Sequence, residues 1–147
     1  MTRSPVSRRP ASVPSAVGLT EPLPLTSERL RSAADDLLSG AITVTGAESV
    51  WSRACVQLLR AALELELDEL WSRTWPEVGH ACRRAQLLVL PQVVGAELAR
   101  DVSELWGALS EAGHHRSYAL DATSSEVRGW SRSVGDASGG LARQQSP

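Results

Sequence analysis

The chain has 147 residues, of which 42% are apolar and 22% are charged, and its formal net charge is −2. A chain of this size and composition forms one globular domain with a single hydrophobic core. It contains no run near the ~20 apolar residues of a membrane span and no bulk positive charge for nucleic acid. Because the first residues lack the apolar stretch of a secretory signal, we expect a cytoplasmic protein.

The basic residues are unusual, because all 15 of them are Arg and Lys is absent. Phe is absent as well, and this usage is typical of a high-GC bacterial genome. The Arg content alone therefore does not indicate phosphate recognition. The two cysteines, Cys55 and Cys82, form no CxxC pair, and we expect both to be reduced core residues on helix faces.

Composition divides the chain into three parts. Residues 1–25 are rich in Pro and hold little that could pack in a core, which predicts a disordered tail. Residues 26–135 carry helical apolar periodicity with short links, which predicts antiparallel neighbours. Residues 136–147 are rich in Gly, Ser and Gln and predict a flexible tail. The expected fold is all-α, an antiparallel bundle of four to five helices between two disordered tails.

The first two predicted helices have clear start and stop signals. Ser27 is the expected N-cap of a helix to about Ser39, and Gly40 ends it. Thr45 and Glu48 form a predicted capping box. The second helix then runs to about Ser72 with a wide apolar stripe, which indicates a central element.

Three further helices complete the predicted bundle. The third runs from about Val78 to Leu90, and the fourth runs from about Gly95 to Gly113 with Trp106 on its core face. Thr123 and Glu126 form a second capping box, and a short fifth helix follows to about residue 134.

Metal chemistry is the first functional hypothesis. Glu64 and Asp68 lie four residues apart on one helix face, and carboxylates from two helices can bind Mg²⁺ in nucleotide hydrolases. Such a site needs a second acidic pair, for which Glu97 with Asp101, or Asp101 with Glu104, has usable spacing, and the paired EExxE-type signature is absent. His80 and Cys82 offer only a weak zinc pattern. We therefore expect no metal and no cofactor.

The most informative stretch is the turn after the fourth helix, WGALSEAGHHRSYALDATSSEVRGW from Trp106 to Trp130. A helix end, a His-His-x-x-Tyr turn and a capped helix follow one another there. This order resembles the HEPN superfamily of small helical bundles, many of which are RNases of toxin–antitoxin and defence systems. The resemblance implies an Arg that holds phosphate and, four to six residues later, a His that transfers a proton, often followed by x-Tyr.

This chain departs from that motif at two of three positions. Tyr118 matches, but Glu111 stands where the motif has Arg, and Arg116 stands where it has His. A carboxylate repels phosphate, and an Arg cannot act as a base near neutral pH.

The expected function is therefore a non-catalytic, HEPN-like interaction module that binds a protein partner or itself. No catalytic residue is assigned under this interpretation. The alternative is a metal-independent endoribonuclease that acts on RNA through the turn. Its candidate residues are His114, His115, Arg116 and Tyr118.

Overall fold

Helices make up the part of the chain that the structure describes. The computed structural model describes residues 23–40, 48–114 and 121–144, and within them no strand occurs. The helices are α1 (Ser27–Ser39), α2 (Glu48–Thr74), α3 (Pro76–Gly79), α4 (Arg83–Val89), α5 (Pro91–Val94), α6 (Ala96–Gly113) and α7 (Ser124–Arg143). The predicted all-α class is confirmed. No helix in these ranges is long and apolar enough to span a membrane.

The long helix α2 is the centre of the bundle. It packs against α1, α6 and α7, so its apolar residues are covered from several sides. Eight of its buried apolar side chains are at most 1% exposed: Cys55, Val56, Leu59, Ala62, Leu63, Leu67, Leu70 and Trp71. A helix that is apolar over most of its circumference must be enclosed by others, as the sequence indicates for this one.

Helix caps agree with the sequence at two points and differ at one. Gly40 closes α1 in the left-handed region, with φ 76°, and Thr123 forms a complete capping box with Glu126. The predicted Thr45–Glu48 capping box of α2 is not tested, because Thr45 lies outside the described residues and the described part of α2 begins at Glu48. The N-cap of α1 is Thr26 rather than Ser27, because the Thr26 hydroxyl accepts the Arg29 backbone N–H.

The predicted third helix, residues 78–90, is wrong as a single element. It is divided into α3 and α4 by a turn, and Pro91 starts the separate short helix α5. The side chain of Gln86 accounts for the break, because it is only 2% exposed and its Nε2 donates to the carbonyl oxygens of Gly79 and Ala81, each at 3.0 Å. These two hydrogen bonds hold the chain in a turn between α3 and α4, an arrangement that apolar periodicity does not reveal.

The predicted flexible tail from residue 136 is also wrong as far as residue 143. Helix α7 continues through this segment to Arg143 and buries Ala137 and Leu141 in the core. The domain boundary at residue 135 therefore falls inside a packed helix. Of the predicted C-terminal tail, residues 145–147 lie outside the described residues, as do residues 1–22 at the other end.

Two predicted core residues are not buried. Trp106 is only half-buried on α6, where its Nε1 donates to Glu64 Oε1 at 3.2 Å and Arg60 lies 5.4 Å from its ring centroid. Cys82 is exposed, whereas Cys55 is buried as expected. Trp106 lies against the Arg60–Glu64 pair, which gives its indole N–H a hydrogen-bond acceptor and its ring a neighbouring cation. A fully apolar pocket would offer neither contact.

Candidate functional site

An open groove with a volume of about 850 Å³ lies between α6 and α7. Its floor is apolar and combines side chains of both helices, namely Leu98, Leu105, Ala108, Trp130 and Ala137. Leu105 and Ala137 belong to the buried core, while Leu98 and Trp130 are half-buried and pack against it. The floor is thus continuous with the hydrophobic core. We call this cavity, with its floor and rim, the α6–α7 groove.

Small residues of α7 shape this groove. Ser133, Ala137 and Gly140 recur at helical spacing along the wall that α7 contributes. At Gly140 the helices approach closely, since a Cβ atom there would lie 2.9 Å from Leu98 Cδ1. Helix α6 can therefore approach α7 at this end, whereas short side chains leave space along the rest of the wall.

Carboxylates line the rim of the groove. Glu97, Asp101 and Glu104 follow one another at i, i+4 and i+7 on α6, and Asp136 stands on α7. All four side chains are exposed, and Arg143 is the one cation among the lining residues. Asp101 has a neighbouring Arg100 at 3.3 Å, but both are about two-thirds exposed, so solvent screens this pair. The rim is therefore negative around an apolar floor.

Of the turn residues proposed for catalysis, the structure describes only His114. It follows the last turn of α6 and is exposed, with its Nδ1 in contact with the Ser110 carbonyl oxygen. His115, Arg116 and Tyr118 lie outside the described residues. A second cavity, of about 510 Å³, is lined by His114 and by Arg53 of α2.

Carboxylates outnumber cations in this second cavity. Glu111, Asp121 and Glu126 line it together with Arg53, and Arg53 is paired with Asp121 at 3.1 Å. Hydrogen bonds from the Thr123 backbone N–H and hydroxyl lower the pKa of Glu126, so this carboxylate stays ionised to lower pH than usual. His114 and Arg53 therefore line the same cavity, but its three carboxylates would repel an RNA phosphate.

The carboxylates proposed for Mg²⁺ have Arg partners instead. Glu64 accepts hydrogen bonds from Arg60 at 3.0 Å and from the Trp106 indole, and Asp68 accepts one from Arg83 at 2.8 Å. Among the residues described, no three Asp, Glu, His or Cys side chains cluster as metal ligands. Asp68 therefore joins α2 to α4 through an ion pair, and Glu64 joins α2 to α6 through a hydrogen bond from the Trp106 indole.

The buried thiol of Cys55 has a structural environment. Its Sγ donates to the Ala34 carbonyl oxygen at 3.6 Å, which links α2 to α1. Burial, with a smaller contribution from the nearby Asp35 charge, raises the pKa of this thiol. A thiol that stays protonated and shielded is a poor nucleophile.

No family model, curated protein or solved structure matches the chain.

Proposed function

We propose that this chain is a non-catalytic helical interaction module whose α6–α7 groove binds an amphipathic helix with basic flanks from a partner protein. The observation that carries the proposal is the combination of an apolar floor with a rim of four exposed carboxylates. Recognition of a helix in a groove needs both parts, since apolar anchors supply binding energy and flanking charges fix orientation and partner choice.

The apolar floor suits side chains spaced along a helix. Its members on α6, Leu98, Leu105 and Ala108, follow one helical face, so anchors at i, i+3 or i+4, and i+7 of a partner can contact them in turn. Trp130 adds a half-buried aromatic surface on the α7 side. Aromatic residues of this kind contribute strongly to binding at interfaces.

The rim argues for a basic partner rather than for a second copy of this chain. A second copy would bring its own acidic surface, since the groove itself carries Glu97, Asp101, Glu104 and Asp136. Two such faces repel each other in a symmetric dimer, in which the same patch meets itself. Arg or Lys side chains on both flanks of a helix would instead pair with the rim.

A synthetic peptide tests this proposal. The probe is a helical peptide with Leu along one face and Arg along both flanks, titrated into the full chain by calorimetry. We expect saturable binding that weakens as salt is raised, because the rim charges are exposed. Asp101→Arg combined with Glu104→Arg should weaken binding by roughly tenfold or more, while the folded chain keeps its melting temperature.

The matched controls separate groove binding from general attraction. Asp36→Arg, which reverses an exposed carboxylate on α1 outside the groove, should leave the affinity unchanged. The same peptide with Glu in place of Arg should not bind. Asp101→Arg alone changes the net charge by the same two units as Asp36→Arg. Equal losses from these two single variants would show that net charge alone attracts the peptide, and the proposal would then be rejected.

The charge of the second cavity predicts that the chain has no ribonuclease activity. A phosphorane transition state gains negative charge, and Glu111, Asp121 and Glu126 would repel it. We expect no cleavage of labelled RNA by the purified chain in EDTA. The double variant Glu111→Arg with Arg116→His restores the Arg and the His of the HEPN motif at the spacing of that motif. It is assayed beside the unaltered chain. Cleavage by the unaltered chain that His114→Ala abolishes would contradict this prediction.

A further inference from the structure

A separate cleft lies between α1 and α7, away from the α6–α7 groove, and its volume is about 640 Å³. Three arginines line it, Arg31 from α1 and Arg128 and Arg132 from α7. Arg128 and Arg132 are four residues apart, so both lie on one face of α7. We call this cavity the arginine cleft. Its volume falls in the range of small-molecule sites.

These three guanidinium groups have no carboxylate partner among the residues described. Arg53, Arg60 and Arg83 by contrast each pair with an Asp or Glu. The acidic side chain of the cleft, Asp35, accepts a hydrogen bond from Ser131 at 2.6 Å rather than from an arginine. Arg128 Nη2 donates to the Leu38 carbonyl oxygen at 3.3 Å, which leaves its positive charge without an opposite charge. Guanidinium groups without a carboxylate partner in one concave site are what an anionic ligand requires.

Two details show that Arg31 is held in this position. Its Nε is shielded from solvent and has no acceptor among the residues described. Its Nη1 lies over the backbone of α7 at Gly135, where a Cβ atom would come within 2.9 Å of it. A glycine at this point leaves the room that the guanidinium occupies. A shielded donor without an acceptor is costly. A ligand that supplies an acceptor to Arg31 Nε therefore gains binding free energy.

The charge and shape of the cleft define its ligand. Three arginines and Asp35 give the cleft a net charge of +2, which is equal in size and opposite in sign to the charge of a phosphate monoester near its dianionic form. A smaller adjoining cavity of about 240 Å³ shares Arg31 and Asp35 with the cleft and adds Glu28 and Ser32. Its carboxylates can accept hydrogen bonds from hydroxyl groups. The acidic surroundings disfavour a long polyanion such as RNA.

We propose that the arginine cleft binds the phosphoryl group of a small phosphate monoester whose other end carries hydroxyl groups. The guanidinium groups of Arg31, Arg128 and Arg132 donate to the phosphoryl oxygens, and Asp35 with Glu28 accepts from the hydroxyls. This site is independent of the α6–α7 groove, so peptide binding there neither supports nor weakens it.

Calorimetry with ribose 5-phosphate on the full chain tests the proposal. We expect saturable binding, binding of inorganic phosphate that is at least tenfold weaker, and no binding of ribose. Arg132→Gln should weaken ribose 5-phosphate binding by roughly tenfold or more, as expected when charge-assisted hydrogen bonds are lost. Arg84→Gln, an exposed arginine on α4, is the matched control and should leave the affinity unchanged.

A second pair of variants tests the position of Arg31 without removing any charge. Gly135→Ala should displace the Arg31 guanidinium and weaken binding, whereas Gly129→Ala, with open space at its Cβ on the same helix, should not. Alanine has a higher helix propensity than glycine, so neither substitution should unfold α7. A loss of affinity in Gly135→Ala can then be assigned to the displaced Arg31 side chain. Three results would overturn the proposal: no binding of ribose 5-phosphate, equal affinity for inorganic phosphate, or tighter binding of a single-stranded oligonucleotide.

Discussion

Replacing Trp71 by alanine is expected to lower the free energy of unfolding by about 3–5 kcal/mol, the usual cost of truncating a large buried aromatic side chain. Trp71 is fully buried in the last turn but one of α2, where it belongs to the hydrophobic core. Gly79 of α3 packs against it, since a Cβ atom there would lie 3.5 Å from Trp71 Cβ. Alanine keeps the Cβ atom that faces Gly79, so the loss comes from the contacts of the indole ring with the hydrophobic core. Urea unfolding followed by circular dichroism measures the loss.

Two other tryptophans provide controls for this measurement. Trp75→Ala should change the free energy of unfolding by less than about 1 kcal/mol, because Trp75 is 47% exposed and surface changes are usually small. Trp106→Ala should fall between the two, since its ring is half-buried against Arg60 and Glu64. A loss below about 1 kcal/mol for Trp71→Ala would contradict the packing described here.

A chain that ends at residue 135 is expected to lose cooperative unfolding. The deletion removes the last two turns of α7 and with them the buried side chains of Ala137 and Leu141. Truncating one buried Leu to Ala costs about 2–5 kcal/mol, and small domains have only about 5–15 kcal/mol in total. The deletion also exposes the core surface that these residues cover. Thermal melts of the full and shortened chains give the comparison.

A chain that ends at Gln144 is the matched control, because it keeps every described residue of α7. Its melting temperature should equal that of the full chain. Leu141→Ala in the full chain should reproduce part of the loss without any change in length. If the chain ending at residue 135 melted as cooperatively as the full chain, the assignment of residues 136–143 to the core would be wrong.

Periodicity predicted α1, α2 and α6 because local features of each segment agree. The extents of α1 and α6, the C-terminal end of α2 to within two residues and the Thr123 capping box follow directly from local sequence. In each case the apolar stripe, the cap and the intrinsic propensities agree, which is the condition for reliable inference from sequence.

The end of α7 was missed because its composition is that of a loop. Gly and Ser residues lower helix propensity, so residues 136–143 predicted a tail. In the fold, glycines of α7 lie where other groups approach closely, Gly140 beneath Leu98 and Gly135 beneath Arg31. Tertiary packing therefore outweighs propensity. One signal was available, since Leu141 follows Val134 by seven residues on the same helix face, and both are fully buried.

The α6–α7 groove could be only half predicted from the sequence. The spacing of Glu97, Asp101 and Glu104 places them on one face of α6, which local periodicity reveals. That Trp130 and Asp136 of α7 complete the same groove depends on how two helices pack, and nothing in either segment specifies that pairing. The sequence instead drew attention to the turn between these helices, where the described residues form an acidic cavity.

The central claim, that the α6–α7 groove binds a basic amphipathic helix, is tested most directly by the indole N–H resonances of the five tryptophans. Only Trp130 of these lines the groove, whereas Trp75 is exposed elsewhere and Trp71 is buried in the core. Titrating the Leu- and Arg-bearing peptide into ¹⁵N-labelled protein should shift the Trp130 indole signal in proportion to saturation and leave that of Trp75 in place. A saturating shift of Trp75 with Trp130 unchanged would contradict the account.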